Sequence, residues 1–261
     1  MARVKRSRTQ RAGALAPSEP PELSVGEVTR QRILDAAELL FAEHGYANVS
    51  VRAATTKARQ NLAAVSYHFG SKDGLLEAVY MRRGSLLNHE RQLLLEELER
   101  ETGGNNVALE NVFRAMLLPA IRWSADYKSG RATFIRFLFR CYHDSTPGLK
   151  KLRLKEAETL RQMMLPRLRR ALPGVADGDL YWGIQFALGA MHYTIGDLRW
   201  TEEVSRGTTD VSSIESITDH LVAFAAGGLR RLVETQAEAG SAARTRARGA
   251  RRNQAAQALA T

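Results

Sequence analysis

Between Asn61 and Lys72 the chain reads Asn-Leu-Ala-Ala-Val-Ser-Tyr-His-Phe-Gly-Ser-Lys, and this run holds the residues best suited to chemistry. The chemistry is contact with nucleic acid. A helix that reads a major groove must bring its backbone close to the base edges, which favours small side chains on the docking face, and Ala63 and Ala64 supply them. Val65 and Phe69 fall on the opposite side and point to a core. Tyr67, His68 and Lys72 stand where a phenol, an imidazole and an ammonium can reach phosphate oxygens. Such contacts set orientation and supply affinity, whereas base contacts supply sequence preference.

Bond-making chemistry has no comparable support. The sequence contains no glycine-rich phosphate loop, no nucleophile elbow and no His/Cys cluster, and its six histidines, at 44, 68, 89, 143, 192 and 220, are scattered. His143 and Asp144 are neighbours in sequence, but adjacent residues on a helix do not face each other. The single cysteine, Cys141, excludes an intrachain disulfide and any multi-cysteine zinc site, so no metal, cofactor or catalytic residue is expected.

The charge balance agrees with a polyanionic partner. Lys and Arg number 38 against 28 for Asp and Glu, a net charge of +10 over 261 residues, while 44% hydrophobic and 25% charged residues are ordinary for a globular protein. The excess concentrates at the ends. Residues 1–28 carry Arg3, Lys5, Arg6, Arg8 and Arg11 against Glu19, Glu22 and Glu27, and residues 236–261 carry Arg244, Arg246, Arg248, Arg251 and Arg252 against one acid, Glu238. These tails act either as solubilising segments or as tethers to DNA. No apolar run approaches the roughly 18 residues that span a bilayer, and the basic N-terminus leads into no signal-like apolar stretch. A soluble, cytoplasmic protein with no membrane insertion is expected.

The motif must be held by helices. Residues 1–23 are rich in Arg, Ser, Ala and Pro and read as a basic arm without structure. Ser24 and Glu27 have capping-box spacing, and Ile33, Ala37, Leu40, Phe41 and His44 follow at helical intervals up to Gly45. Ser50 caps a second helix to about Ala58, a third runs from about Asn61 to Phe69, and Ser71 caps a fourth carrying Leu75, Leu76, Val79, Leu86 and Leu87. Gly103, Gly104, Asn105 and Asn106 make a break. Five more helices are predicted, over 107–124, 131–143, 146–171, 179–200 and 213–234, with Pro119 and Pro166 kinking or interrupting two of them. No strand pattern of useful length occurs. The fold class is all-α: a helix-turn-helix head over 24–72, a larger helical body over 73–235, and a second tail without structure over 236–261.

The run from Asn61 to Lys72, together with Thr29-Arg-Gln-Arg-Ile-Leu-Asp-Ala-Ala-Glu-Leu-Leu-Phe-Ala-Glu-His-Gly-Tyr46, resembles the DNA-binding head of the tetracycline-repressor (TetR) family. The resemblance implies a homodimeric transcription regulator, usually a repressor, on a near-palindromic double-stranded DNA operator. It implies that Leu62, Ala63, Ala64 and His68 face bases and that Arg52, Tyr67 and Lys72 hold the phosphate backbone. The chain departs from the family at Ala53-Ala54, where larger or acidic residues are usual, and at Arg59-Gln60, which replaces the usual Gly-Val of the turn. A non-glycine residue in the left-handed region costs about 1–2 kcal/mol, so a less stable head is expected.

In the body, helix 179–200 carries Ile184, Leu188, Met191, Ile195 and Leu198 on one face and Trp182, Phe186 and Tyr193 on a second. The last helix repeats the pattern with Ile217, Leu221, Phe224, Gly228 and Leu232, and Ala225-Ala-Gly-Gly228 permits close approach. By the family's architecture two such helices from each subunit form a four-helix interface, using Ile184, Leu188, Met191, Ile217, Leu221, Phe224 and Gly228. Arg136-Phe-Leu-Phe-Arg-Cys-Tyr-His143, Tyr181-Trp-Gly-Ile-Gln-Phe-Ala-Leu-Gly-Ala190 and Ala223-Phe-Ala-Ala-Gly-Gly-Leu229 are similar to the fatty-acid-responsive branch. That similarity implies a small apolar effector, an acyl chain or acyl thioester, in a cavity lined by Leu117, Trp123, Phe134, Phe137, Trp182 and Phe186. Arg136, Arg140 or His143 would meet its polar end. Activation instead of repression, or a basic helical protein at a membrane surface, are the alternative readings; the Arg-rich 131–143 helix suits the latter less well than a core helix with snorkelling arginines.

Overall fold

The computed structural model describes residues 24–103, 108–144 and 146–258; described side chains run to 235 and include Glu238 but not His143. The arm expected over 1–23 lies outside the described residues. Ten helices follow one another among the described residues: α1 (Val25–His44), α2 (Val51–Ala58), α3 (Ala63–Phe69), α4 (Lys72–Glu101), α5 (Leu109–Ala125), α6 (Arg131–His143), α7 (Pro147–Ala171), α8 (Asp177–Gly196), α9 (Leu198–Val204) and α10 (Ile214–Ala258).

The head folds as its local signals require. The Ser24 hydroxyl accepts from the Glu27 amide at 3.3 Å while the Glu27 carboxylate accepts from the Ser24 amide at 2.9 Å, so both free donors at the start of α1 are satisfied. These bonds hold the Glu27 carboxyl below its ordinary pKa. One stripe of α1 (Ile33, Leu34, Ala37, Phe41) meets Ala54, Val65, Leu75, Leu76 and Val79 in a continuous core. Each large aliphatic there contributes about 1.5–3 kcal/mol of burial.

Helix α4 joins head to body. Glu38 is buried on α1 and bridges Arg82 at 2.6 Å and Arg83 at 3.1 Å, and Arg82 also meets Asp35 at 2.6 Å. Removing one member of such a set strands a buried charge at a cost of roughly 3–5 kcal/mol, so the first three turns of α4 move with the head. On the other side, the Arg140 guanidinium of α6 donates to the Ala42 carbonyl at 3.1 Å.

The body packs α5 at its centre. Helix α10 runs antiparallel to α5, with Arg122–Glu215 at 3.7 Å at one end, Arg114–Asp219 between, and Arg230–Glu110 at 2.6 Å at the other. Gly183 lets α8 approach α10, because a Cβ there would lie 2.8 Å from the Leu229 side chain. A polar cluster sits inside α4, α5 and α7: Arg91 donates to the Met116 carbonyl at 3.1 Å and to Asn88 at 2.8 Å, and reaches Glu156 only at 3.5 Å. Burial pushes Glu156 up to about 7 and Arg91 down to about 10, the contact between them being too long to offset desolvation.

Three expectations need correction. The helix predicted over 179–200 is two, because Gly196 ends α8 and the Asp197 carboxylate caps α9 by accepting from the Trp200 amide at 3.1 Å. Of the kink or interruption expected at Pro119 and Pro166, interruption does not occur, since both lie within the continuous α5 and α7. The tail expected to lack structure from 236 continues α10 to Ala258. Ala, Arg and Gln are strong helix formers and no proline intervenes, so propensity favours the continued helix.

Candidate nucleic-acid interface

The α2–turn–α3 unit is built by short-range bonds. Ser50 caps α2 by accepting from the Ala53 amide at 3.0 Å, and the Thr55 hydroxyl turns inward to the Arg52 carbonyl at 3.0 Å. Arg59 ends α2 at φ 54°, ψ 44°, the left-handed conformation expected for the position where the family has glycine. The Arg59 amide then donates to Thr56 at 3.1 Å and the Gln60 amide to Thr55 at 2.9 Å, a complete Schellman closure. The Asn61 side chain accepts from the Ala63 amide at 2.9 Å and starts α3. At the other end Ser71 accepts from the Gly74 amide at 3.0 Å. Gly74 is required there, since a Cβ would fall 2.0 Å from the Phe69 carbonyl oxygen.

This frame presents Leu62, Ala63, Ser66 and Tyr67 to solvent, with Tyr67 85% exposed, and turns Val65 into the core. The two residues of each exposed pair are one step apart and the pairs are four apart, so together they form one face of α3. Ala64 is half-buried against the core and flanks that face rather than leading it. His68 is also half-buried, its ring 4.8 Å from Tyr67 and 6.0 Å from Phe69. Ser66 escaped the sequence reading, although its spacing from Leu62 and Ala63 places it on the docking face. Arg52 is exposed on α2. Lys72 is half-buried with its ammonium 4.2 Å from the centre of the Tyr46 ring; burial lowers its pKa, opposed by Asp73 and Asp144. Tyr46 in turn donates to the Asp73 carboxylate, so the start of α4 is tied to the end of α1. No Asp or Glu occurs between Glu43 and Asp73, while Arg52, Lys57, Arg59 and Lys72 do. Between residues 44 and 72 every Lys, Arg, Asp or Glu is therefore a cation, with Asp73 the first acid after them.

The body's sites fall differently from the sequence reading. Leu117, Trp123, Phe134 and Phe137 are fully buried in the protomer core, with Trp123 and Phe134 rings 6.0 Å apart and Phe134 and Phe137 rings 5.8 Å apart; they fill space instead of lining it. Trp182 and Phe186, expected beside them, lie on the outside, 57% and 56% exposed and stacked at 5.3 Å. Conversely Ile184, Leu188, Met191, Ile217 and Leu221, expected at a dimer interface, are buried inside the protomer where α8 and α10 meet the rest of the body. Of that set, Phe224 and Gly228 do face outward. Arg136 is exposed and donates to Thr133; Arg140 is held by Ala42; the side chain of His143 lies outside the described residues. Open cavities lie elsewhere in the body. One of about 560 Å³ lies between α8, α9 and α10, and one of about 590 Å³ lies between α6 and α8, lined by Phe139, Tyr142, Leu188, His192 and Tyr193 among others.

A three-helix head with this face on a helical body defines a helix-turn-helix regulator, and comparison with known proteins gives its family. Residues 33–79 match the model described as "Bacterial regulatory proteins, tetR family" and residues 114–228 match "Tetracyclin repressor-like, C-terminal domain", together more than half of the chain. The chain belongs to the tetracycline-repressor family: it is a DNA-binding transcriptional regulator and not an enzyme. It is 26% identical over 158 residues to the HTH-type transcriptional regulator BetI of Paraburkholderia xenovorans, covering 60% of this chain and 75% of that one. In fold it is similar to SmeT, the repressor of the Stenotrophomonas maltophilia multidrug efflux pump SmeDEF (TM-score 0.52, 18% identity, 78% of this chain and 91% of that one). It is likewise similar to a TetR-like transcriptional regulator from Rhodococcus sp. RHA1 (TM-score 0.51, 19% identity, 81% and 99%). No helix among the described residues is long and apolar enough to cross a membrane.

Proposed function

We propose that the protein is a cytoplasmic, homodimeric repressor whose two heads read a near-palindromic operator and release it when a small apolar molecule binds the body. The observation that carries the DNA contact is the exposed Leu62, Ala63, Ser66 and Tyr67 face, bounded by cations and free of carboxylates for the whole of α2 and α3. In this reading Leu62 and Ala63 meet base edges, Ser66 hydrogen-bonds to a base or phosphate, Ala64 and His68 edge the groove, and Arg52, Tyr67 and Lys72 hold phosphates.

Dimerisation is supported by the outer face of α8 and α10. Trp182, Phe186, Tyr193 and Phe224 are each more than half exposed and share that face with Gly227 and Gly228, an apolar surface that water solvates poorly. A second copy of the same two helices covers it and makes a four-helix bundle.

For the effector, an acyl chain or acyl thioester, the 590 Å³ groove between α6 and α8 is the site we favour. Its volume is typical of ligand pockets, about 300–1,000 Å³. Its floor, α6, also holds the head through Arg140 and Ala42. A ligand that spreads α6 from α8 thereby shifts the spacing of the heads, which releases DNA only in proportion to its preference for the shifted state.

The deciding experiment is selection of DNA from a random pool by the purified protein. An inverted repeat with half-sites about one helical turn apart, or a multiple, is expected, and a titration of acyl chains of increasing length should weaken binding to that site. Failure to enrich any sequence overturns the operator reading, and indifference to every chain length below its micelle limit overturns the effector.

A further inference from the structure

Helix α7 starts where α4 starts. Gly148 packs against Asp73, Lys155 of α7 bridges Glu77 of α4 at 2.8 Å, the Asn88 side-chain amide donates to Glu156 at 3.2 Å, and Arg167 pairs with Glu99 at 3.0 Å. The partners rise together along both helices, so α4 and α7 run side by side in the same direction, away from the head. A side chain at position 148 would prevent this start, because its Cβ would lie 2.6 Å from the Asp73 carboxylate. The turn before α7 is held as well: Arg153 donates to the Tyr142 carbonyl at 3.0 Å and to the Asp144 carbonyl at 3.3 Å. The first turns of α7 therefore belong to the body but stand at the end of the molecule that carries α3.

Positions 148, 151 and 155 stand at i, i+3 and i+7, on the flank of α7 that faces α4. There Lys151 and Lys155 form one wall of a cleft of about 270 Å³, and Ser71, Asp73, Gly74 and Glu77 form the other. Ser71 is two residues past the end of α3 and adjoins Lys72, one of the residues that hold phosphate in the operator reading. The acids at the cleft are engaged. Tyr46 donates to Asp73, and Lys155 pairs with Glu77. Lys151 is exposed and forms no ion pair among the described residues, and its attraction is the weakest of the influences on the Glu77 carboxyl. An unpaired ammonium on a four-carbon stem, at the edge of a DNA-binding head, has phosphate as its natural counter-ion.

We propose that Lys151 carries the DNA interface beyond the head by contacting an operator phosphate next to those held by Tyr67 and Lys72. Phosphates recur about every 3.4 Å of axis along one strand, so the α7 wall of the cleft meets the same strand further along. The contact adds affinity and no sequence preference, since it touches no base. It rests on the operator reading, and it ties DNA to a body helix as well as to the head. Lys150 lacks the position: it is turned about 100° from Lys151 around α7 and does not line the cleft.

The test titrates the full chain with its selected duplex, flanked by unrelated base pairs. Lys151→Gln should bind about fivefold more weakly for each protomer engaged at about 0.15 M salt, with a logarithmic salt slope shallower by about 0.9 per protomer. The enriched sequence and the melting temperature should not change. Methylphosphonate replacement of single phosphates, which removes one charge at a time, should find a position in each half-site that weakens the parent and leaves Lys151→Gln unaffected. Lys150→Gln, with the same loss of charge, should bind as the parent does. Equal binding by Lys151→Gln and the parent, an equal loss in Lys150→Gln, or the absence of any such phosphate overturns the contact alone. A parent that enriches no sequence overturns the operator reading, and the contact falls with it.

Discussion

Two exposed surfaces of this molecule break the usual expectation for a lone chain, and they break it in opposite ways. On α3 the exposed side chains are small or hydroxylated and the charges within α2 and α3 are all positive; on α8 and α10 the exposed side chains are large and aromatic, with Gly227 and Gly228 beside them. The first leaves a backbone accessible to a rigid polyanion, and the second leaves apolar area that only another apolar surface relieves. Exposure alone therefore does not identify a partner. The size and charge of what is exposed do.

The comparison is broken most severely by putting a charge on the aromatic face. Phe186→Arg should leave the protomer folded, because the side chain is already half in water, but abolish dimers in sedimentation and weaken operator binding about 100-fold or more by uncoupling the two heads. Leu221→Arg, by contrast, buries a charge in the protomer and should unfold it. If Phe186→Arg stays dimeric, the aromatic face is not the interface.

On the other surface, Ala63→Glu brings a carboxylate to the groove and should cost about 100-fold in operator affinity, several kcal/mol of like-charge repulsion. Tyr67→Ala removes one bond to a charged group, worth about 1.5–3 kcal/mol. Neither should alter the oligomeric state. Gel-shift titrations in which both bind as the parent does would remove α3 from the interface.

A third change lies between the surfaces and should disturb neither. Glu156 titrates at about 7 in the fold against 4.5 when unfolded, so the folded state keeps a proton that the unfolded state releases. The contribution of Glu156 to stability is fully present below pH 4.5 and is lost as pH rises to 7, by at most about 1.4 kcal/mol per unit. Glu156→Gln should flatten that decline in denaturant titrations at pH 5 and 7.5 while dimerisation and DNA binding persist. A decline of unchanged slope would assign it to other groups.

The smallest effect is expected at Arg59. Glycine at this left-handed position should raise stability by about 1 kcal/mol, a melting shift of a few degrees, with DNA affinity unchanged unless the guanidinium itself holds a phosphate. A lower melting temperature would show that the Arg59 side chain offsets its backbone strain.

Much of the head was legible beforehand because its determinants are local. The capping box at Ser24, the caps at Ser50 and Ser71 and the inward Val65 depend on residues within one or two turns of one another and are found as their spacing predicts, and Arg59 is left-handed as the family resemblance implies. Ala64 was put on the docking face and Ser66 was left off it, because a seven-residue helix is too short for periodicity to fix its rotation.

The body was legible only up to a choice between faces. Spacing alone determined that α8 carries two apolar stripes and α10 another, that the chain is helical from residue 24 to about 234, and that its charge is positive where DNA would lie. It did not determine which stripe of α8 meets the molecule's own core and which meets a partner, because both are apolar and periodicity is blind to what stands opposite. Tertiary packing made that choice: Gly183 lets α8 settle onto Leu229 and turns Ile184, Leu188 and Met191 inward, leaving Trp182 and Phe186 outside. It likewise filled the expected cavity with Trp123, Phe134 and Phe137, since aromatic side chains bury more surface against one another than around an empty space.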